Sequence, residues 1–540
     1  MQLQTLFGIT AALTLLLGGC SADLKQQSQI DGDVPPDSDA AGHADATGPS
    51  DGTSADAAIL PPPPPLGPPA GLGSATTTGQ PCNVSSSPAI RCVAATSTAP
   101  QPDGSAQKPF ASIQAAVDAA KNGDTIQVAG GNYRENVEVK GKGLTLLGGF
   151  APDFASRDAA TNVSTINGIG GNAVVALLDA RQTTIEGFRI TNGTGNELQR
   201  QYFILGGGIY GRGGTLTIRG NLIEQNNIIA THNNRENVGG GAFFESATVN
   251  FVSNVVRNNT GGRGAAIGTQ DGDRVLIEGN LVLDNTAVGD HGGGIYVAGP
   301  NIEIVGNYIS GNKVTFREGT WGGGVLVYNK GSKAQLRYNT ITKNHATLIG
   351  SGVFIDDGAQ VTLQNELIFG NVCPETGGAG LYVDGLTKSL GSRATVLFST
   401  IAGHNCPSGK GQAVFLEAGS QVEIKNSILW GNGGDDLYAD GSSSISAAFT
   451  ISQEKFSGTQ QTDPLFVDPK SDFHLRSRAG HFAANGNWVV DAEHSPAIDA
   501  ADPTAPVGSE TSPHGNRANL GAYGTTREAS RSQSSAATPR

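Results

Sequence analysis

The stretch GDHGGGIYVAGPNIEIVGNYISGN, Gly289 to Asn312, decides how the rest of the chain is read. An Asp and a His beside three glycines suggest a catalytic loop, but the same words recur along the chain, and a period has to be sought before chemistry. The closing Asn returns at Asn226, Asn259, Asn285, Asn312, Asn344, Asn371, Asn405 and Asn432, in steps of 26 to 34 residues. Steps of that size, with loops of variable length, fit one solenoid coil per repeat.

Three strand-length segments make up each repeat. The first follows the glycines, as in GGGIYGR (Gly206 to Arg212), GGGVLVY (Gly322 to Tyr328) and GAGLYVD (Gly378 to Asp384). The second alternates with period two, as in IEIVGN (Ile302 to Asn307), and the third is the Asn word, as in NLVLDN (Asn280 to Asn285) and NTITKN (Asn339 to Asn344). These segments are β-branched and bounded by Gly or Asn, the composition of short strands. Three strands per turn with no helical period in the body predict an all-β fold, a single-stranded parallel β-helix, whose turn Asn residues stack in a hydrogen-bonded ladder. The Asn row is therefore scaffold.

The words GGG-aliphatic and aliphatic-x-x-Asn resemble the repeats of chlamydial polymorphic membrane proteins, which are surface adhesins. Upstream, DGSAQKPFASIQAAVDAAKNGDTIQVAGGNYRENVEV (Asp103 to Val139) resembles the opening coil of pectin-lyase-like right-handed β-helix proteins, which implies that a short amphipathic helix, Ile113 to Lys121, caps the open end. A cap answers a physical need, because an uncovered terminal coil is an exposed sheet edge. Downstream, DPLFVDP (Asp463 to Pro469), SPAID (Ser495 to Asp499) and NRANLGAYG (Asn516 to Gly524) resemble the closing module of bacterial surface β-helix proteins. These resemblances are specific for fold and weak for function, since the fold hosts lyases, hydrolases, esterases and non-enzymatic adhesins alike.

Outside the body, MQLQTLFGITAALTLLLGGC is an apolar run too short for a stable membrane span and built like a secretory signal. Leu17, Gly18, Gly19 and Cys20 resemble the bacterial lipoprotein box, which implies lipidation at Cys20; no Lys or Arg precedes the apolar run, a departure from that pattern. From Ser21 to about Gln80 the chain turns to Asp, Ala, Gly, Ser and Pro, including PPPPP at Pro61 to Pro65. Such a segment cannot bury enough apolar surface to repay its ordering entropy and reads as a tether. The expected organisation is a signal over 1–19, a disordered tether over 20–80, the β-helix over 81–455, an irregular C-terminal cap over 456–527 and a polar disordered tail over 528–540. The implied location is the cell outer membrane, lipid-anchored and surface-exposed, with no membrane contact besides the anchor.

The formal net charge of −13 argues against a nucleic-acid partner, because no basic stripe is present to meet phosphates. Besides Cys20 there are Cys82, Cys92, Cys373 and Cys406, an even number that agrees with an exported chain. Cys373 and Cys406 follow repeat positions in adjacent coils, where a bridge is geometrically plausible, and Cys82 and Cys92 are placed to staple the start of the fold.

Chemistry on a filled solenoid has to lie outside. Alternation after the glycines turns Ile209, Ala242, Ile295, Val325, Val353, Leu381 and Val414 inward. It turns outward Tyr210, Phe243, Tyr296, Leu326, Phe354, Tyr382 and Phe415, while the coil GGRGAAIGTQDGD (Gly261 to Asp273) resists placement in this register. An aromatic row at about 4.8 Å per step is a platform for sugar rings if exposed, and a second core if a loop covers it. The next outward row brings Asp356, Asp384 and Glu417 to successive coils, where neighbouring carboxylates repel by roughly 1 to 3 kcal/mol. Calcium would relieve that repulsion, with Lys330, Lys333 or Arg393 nearby as a base in the manner of calcium-dependent lyases; turn chemistry at strand ends is the plainer reading. His291 reads as a solvated turn residue. The sequence thus supports a displayed scaffold binding a polysaccharide or another cell surface, or else a lyase or hydrolase of acidic polysaccharide.

Overall fold

Three parallel sheets run the length of the body, one for each segment of the repeat. The computed structural model describes residues 77–533, apart from 196–202, 229–235, 289–290, 316–320 and 407–408. Cys20, the signal and nearly all of the expected tether lie outside the described residues. The tether ends earlier than expected, because Thr77–Thr78 already pairs antiparallel with Ser156–Arg157.

The glycine sheet runs from Val137–Lys140 to Leu437–Ala439, the alternating sheet from its first strand, Ile90–Val93, to Ser444–Ala448, and the asparagine sheet from Gly131–Arg134 to Thr459–Gln460. Each strand pairs with its counterparts one coil before and after; Ile295, for example, lies between Ile267 and Val325. The inward residues Ile209, Ala242, Ile295, Val325, Val353, Leu381 and Val414 have no exposed surface. The triple glycines are a steric requirement of this stacking. A Cβ on Gly294 would lie 2.4 Å from the carbonyl oxygen of Gly324 in the next coil, closer than carbon and oxygen can approach.

Two side-chain ladders run along the corners of the coil. In the first, Asn221, Asn254, Asn280, Asn307 and Asn339 stack, each Nδ2 donating to the Oδ1 of the next at 2.9–3.1 Å. In the second, Asn226, Asn259, Asn285, Asn312, Asn344 and Asn371 do the same. The position after Asn371 belongs to His404, whose Nδ1 accepts the Asn371 backbone N–H at 3.1 Å. Asn405, expected there, has φ 55° and is exposed. The coil at Gly261 to Asp273 also finds its register: Ile267 points inward, and Gly268 takes the position of the aromatic row between Phe243 and Tyr296.

The single helix of the described residues, α1 (Ile113–Ala119), covers the N-terminal end as expected, stopping two residues short of Lys121. Ser112 caps it, and Glu135, from the next strand connection, accepts the N–H groups of Ile113 and Gln114 at 2.8 and 2.9 Å. Ile113, Ala116 and Val117 thereby join the main core. Both expected disulfides are present. Cys82–Cys92 ties the entering chain to the first strand, and Cys373–Cys406 links successive coils with a Cα separation of 5.5 Å.

At the other end, Phe456 packs against the last coil of the core. The residues read as a closing module lie along the flank instead. Phe466, Phe473, Leu475, Ile498 and Leu520 pack on Phe369, Phe398 and Ile428, and Asn365 Nδ2 donates to the carbonyls of Ala522 and Gly524. The described structure continues into the segment expected to be a tail. Ala529, Ser530 and Ser532 are buried, Ser530 Oγ donates to Leu475 O at 2.6 Å and Ser532 Oγ to Asp499 Oδ1 at 2.7 Å. A polar composition concealed this, because the hydroxyls meet buried acceptors rather than water.

Candidate functional site

The aromatic row is a second core. Tyr210, Phe243, Tyr296, Phe354, Tyr382 and Phe415 are at most 6 % exposed, so none offers a ring face to a sugar. Gly268 divides the row in two. Phe243 leans into the space over that glycine, where an added Cβ would lie 2.8 Å from its ring. On the N-terminal side Tyr210 and Phe243 are covered by Leu205 and Val238, and on the other side Ile349 and Trp321 cover Tyr296, Leu326, Phe354, Tyr382 and Phe415. The covering residues come from the long loops between the asparagine and glycine sheets. Within the larger cluster Tyr382 and Phe415 stack at 4.8 Å, and Phe354 meets Tyr382 edge-on at 5.5 Å. His291 belongs to this cover: its ring stacks on Trp321 at 4.2 Å, so it is not a solvated turn residue. Asp290 lies outside the described residues.

The acidic column is assembled at the turn that follows this core. Backbone N–H groups of Asp356, Asp384 and Glu417 donate to carbonyls of the preceding coil at 2.8–3.1 Å, which stacks the three side chains in line. Tyr328 precedes them and Asp440 follows, each in the same backbone pairing. Asp440 was recoverable from sequence, since LYADG (Leu437 to Gly441) repeats LYVDG (Leu381 to Gly385). Turn geometry explains why Asp is used here: Asp356 Oδ1 accepts the Asp357 N–H and Asp384 Oδ1 the Gly385 N–H, both at 2.7 Å. Glu417 Oε1 accepts the Tyr382 hydroxyl at 2.6 Å, and Tyr210 makes the same one-coil reach to Glu245.

Stacked carboxyls in a half-buried corner cannot all ionise. Burial, reinforced by Asp357, Asp384 and Glu417, holds Asp356 well above the usual carboxylate range. Burial and Glu417 push Asp384 up to about 7. Burial also raises Asp440, but hydrogen bonds from Ser443 and Ser442 together hold it below its ordinary value. Asp356 and Asp384 thus tend to keep their protons, which lessens the repulsion between neighbours in the column. Among the described residues no group of three or more His, Cys, Asp or Glu side chains is arranged to hold a metal ion. Asp356, Asp384 and Glu417 each commit one oxygen to a hydrogen bond within the fold. Lys333 and Arg393, weighed as bases, stand at outward positions of the alternating sheet, exposed to solvent; Lys330 is exposed in the turn before it.

The alternating sheet is covered only toward its ends, where Leu147 packs against the cluster of Phe150 and Leu397 against that of Phe473. Its other outward residues, Thr217, Asn250, Gln335 and Thr362 among them, are half-buried or exposed.

Against this geometry, the family described as right-handed beta helix region matches residues 155–344 and 323–462, more than half of the chain. The chain belongs to that family. Among solved structures, pectate lyase Pel9A is similar, with a TM-score of 0.39 and 14 % identity over 80 % of this chain and 95 % of that one. No curated protein matches significantly.

Proposed function

We propose that this protein is a lipid-anchored, surface-displayed scaffold that binds a polysaccharide or another cell surface without transforming it. The observation that carries this reading is the use made of the chemistry-bearing residues: Asp356, Asp384 and Glu417 are absorbed into hydrogen-bonded turns over a closed aromatic core. Meanwhile the outward face of the alternating sheet, mostly polar, stays uncovered over the middle coils. The signal with Cys20 at its end, and the Asp- and Pro-rich stretch after it, suit a chain held at a membrane and presented outward.

One observation favours a second reading. Asp384, with its carboxyl pushed up to about 7 beside Glu417, is a proton donor at neutral pH next to further acids, the pairing that acid–base hydrolysis of glycosides uses. The experiment that separates the two incubates the full chain with a panel of acidic and neutral polysaccharides. It follows new reducing ends and unsaturated ends, with binding measured in parallel. Binding without turnover, unchanged in the Asp356→Asn/Asp384→Asn double variant, is expected. Turnover lost in that variant would replace the scaffold reading by hydrolysis or elimination at the acidic turn.

A further inference from the structure

The first outward row of the alternating sheet has an electrostatic pattern that the turn chemistry leaves unexplained. Lys333, Gln360, Arg393, Gln421 and Ser444 are in register on successive coils. Val275, Ile302 and Ala334 are also in register, so Arg274 stands two coils before Lys333. Cations therefore occupy every second coil, with exposed amides between the last of them. Adjacent strands lie about 4.8 Å apart, so the cations recur at ~9.6 Å. From Gln182 to Ser444 this row contains no carboxylate, in a chain whose formal net charge is −13.

These cations are not consumed by the fold. Lys333 and Arg393 are exposed and make no side-chain ion pair or hydrogen bond among the described residues. Arg274, half-exposed, shares Glu303 with Arg337 and keeps further donors free. At the C-terminal end of the row lies a hollow of about 340 Å³ lined by Arg393, Thr395, Gln421, Glu423, Ser444 and Ser446. The one carboxylate in it, Glu423, is engaged by Lys425 at 2.6 Å.

We infer that this face binds a linear acidic polysaccharide laid along the solenoid axis, its carboxylates falling on Arg274, Lys333 and Arg393 and its hydroxyls on the amides and Thr residues beside them. The proposal rests on the glycan-binding reading above and names the face and the ligand class. A repeating ligand is indicated because the row repeats with the coil. A folded protein partner is disfavoured because this row holds no apolar residue and the aliphatic side chains elsewhere on the face, Val252, Leu276 and Val305, are half-buried, whereas tight protein interfaces centre on large, mostly aromatic anchors. Nucleic acid carries a charge every few ångströms, so cations at ~9.6 Å would neutralise only a minority of its phosphates against a repelling net charge.

The test uses the full chain with hyaluronan and polygalacturonate as acidic probes, dextran as a neutral glycan and a short DNA duplex. Calorimetry at two salt concentrations compares the natural chain, Lys333→Gln/Arg393→Gln, and a control, Lys343→Gln, exposed on the asparagine sheet. Both altered side chains of the double variant are exposed, so the fold is retained, which circular dichroism confirms. The expected result is salt-sensitive binding of an acidic probe, weakened by about tenfold or more in the double variant and unchanged in the control. Equal binding by the double variant would overturn this face and leave the glycan-binding reading standing, as would binding of dextran alone. DNA binding with the same loss would overturn the polysaccharide assignment. Binding to no probe at all would overturn both.

Discussion

The two halves of the solenoid are built on one repeat, yet they are held together differently. From Asn221 to Asn339 every coil supplies the same corner side chain, and each amide both donates to the next coil and accepts from the one before. From there on, the first ladder continues as Glu366, Ser399 and Ser427, and the second passes from Asn371 to His404. Asn propagates a ladder because its amide is donor and acceptor at once. Ser accepts the neighbouring backbone N–H but donates back within its own coil, as Ser427 does to Lys425 O. The irregular half compensates with supports the regular half lacks: the Cys373–Cys406 bridge, and the C-terminal module hydrogen-bonded to Asn365, Thr400 and Asn426. Regular repetition is self-supporting, and departure from it has to be braced from outside.

The largest way to sharpen that contrast is pH. Burial pushes the Glu366 carboxyl from an ordinary 4.5 up to about 8, while burial drives the His404 imidazole from 6.5 down to about 3. Between 4.5 and 8 the folded chain keeps a Glu366 proton that the unfolded chain has released, so this stabilisation is complete below 4.5 and is lost as pH rises to 8. Between 3 and 6.5 the unfolded chain holds a His404 proton that the folded chain excludes, so that contribution is complete above 6.5 and is lost as pH falls to 3. Each limb changes stability by about 1.4 kcal/mol per pH unit, and the two cancel between 4.5 and 6.5. Taken alone, the pair gives a plateau there and a fall of about 2 kcal/mol over about 1.5 pH units on either side. Asp384 and Glu510, raised from 3.8 and 4.5 to about 7, lose stability from those ordinary values up to about 7, so urea titrations across pH should show a net fall across the window where the pair alone is level. Glu366→Gln should remove one proton of slope from the alkaline limb and His404→Asn one from the acid limb. Limbs that survive both substitutions unchanged would mean that these ladder positions are not the titrating weak points.

What could be read beforehand follows the same division. The parallel three-sheet coil was legible because GGG and the Asn words state the stacking constraint anew in each repeat, as Gly294 against Gly324 shows. The disulfides were legible for the same reason. The register slip at Asn405 was avoidable: Cys373 stands two residues after Asn371, so Cys406 points back to His404, not to its neighbour. The closing of the aromatic row left a signal in the sequence that alternation alone does not use: Leu205, Val238, Trp321 and Ile349 each stand immediately before the first glycine of a repeat word, so the cover recurs with the coil. Alternation did bring Asp356, Asp384 and Glu417 into line, but their retained protons come from burial, which a linear pattern does not encode.

A smaller effect is expected from the brace. Replacing Cys373 and Cys406 together by Ser opens a loop of 33 residues and should lower stability by about 2–4 kcal/mol. Hydrogen exchange should localise the loss to the coils from Val353 to Trp430 and leave those from Ile209 to Leu283 protected. Uniform loss over both halves would show that the solenoid unfolds as one unit and that the bridge is no local compensation.

The smallest difference bears most directly on why the halves differ. Asn280→Ala removes the donor to Phe251 O and to Asn307 Oδ1, and the acceptor of the Asn254 N–H, leaving buried polar groups without partners for about 1–3 kcal/mol. Ser427→Ala removes one acceptor, for Ser399 N–H, and a donor that served only its own coil, so about 1 kcal/mol is expected. Chemical denaturation of the two variants should rank them in that order. The ranking matters because an Asn couples three coils, its own, the preceding one that it both donates back to and accepts from, and the one ahead, whereas a Ser couples two. If both cost the same, coupling along the ladder contributes nothing beyond single hydrogen bonds. The braces of the C-terminal half would then need a cause other than the interruption at Glu366 and His404.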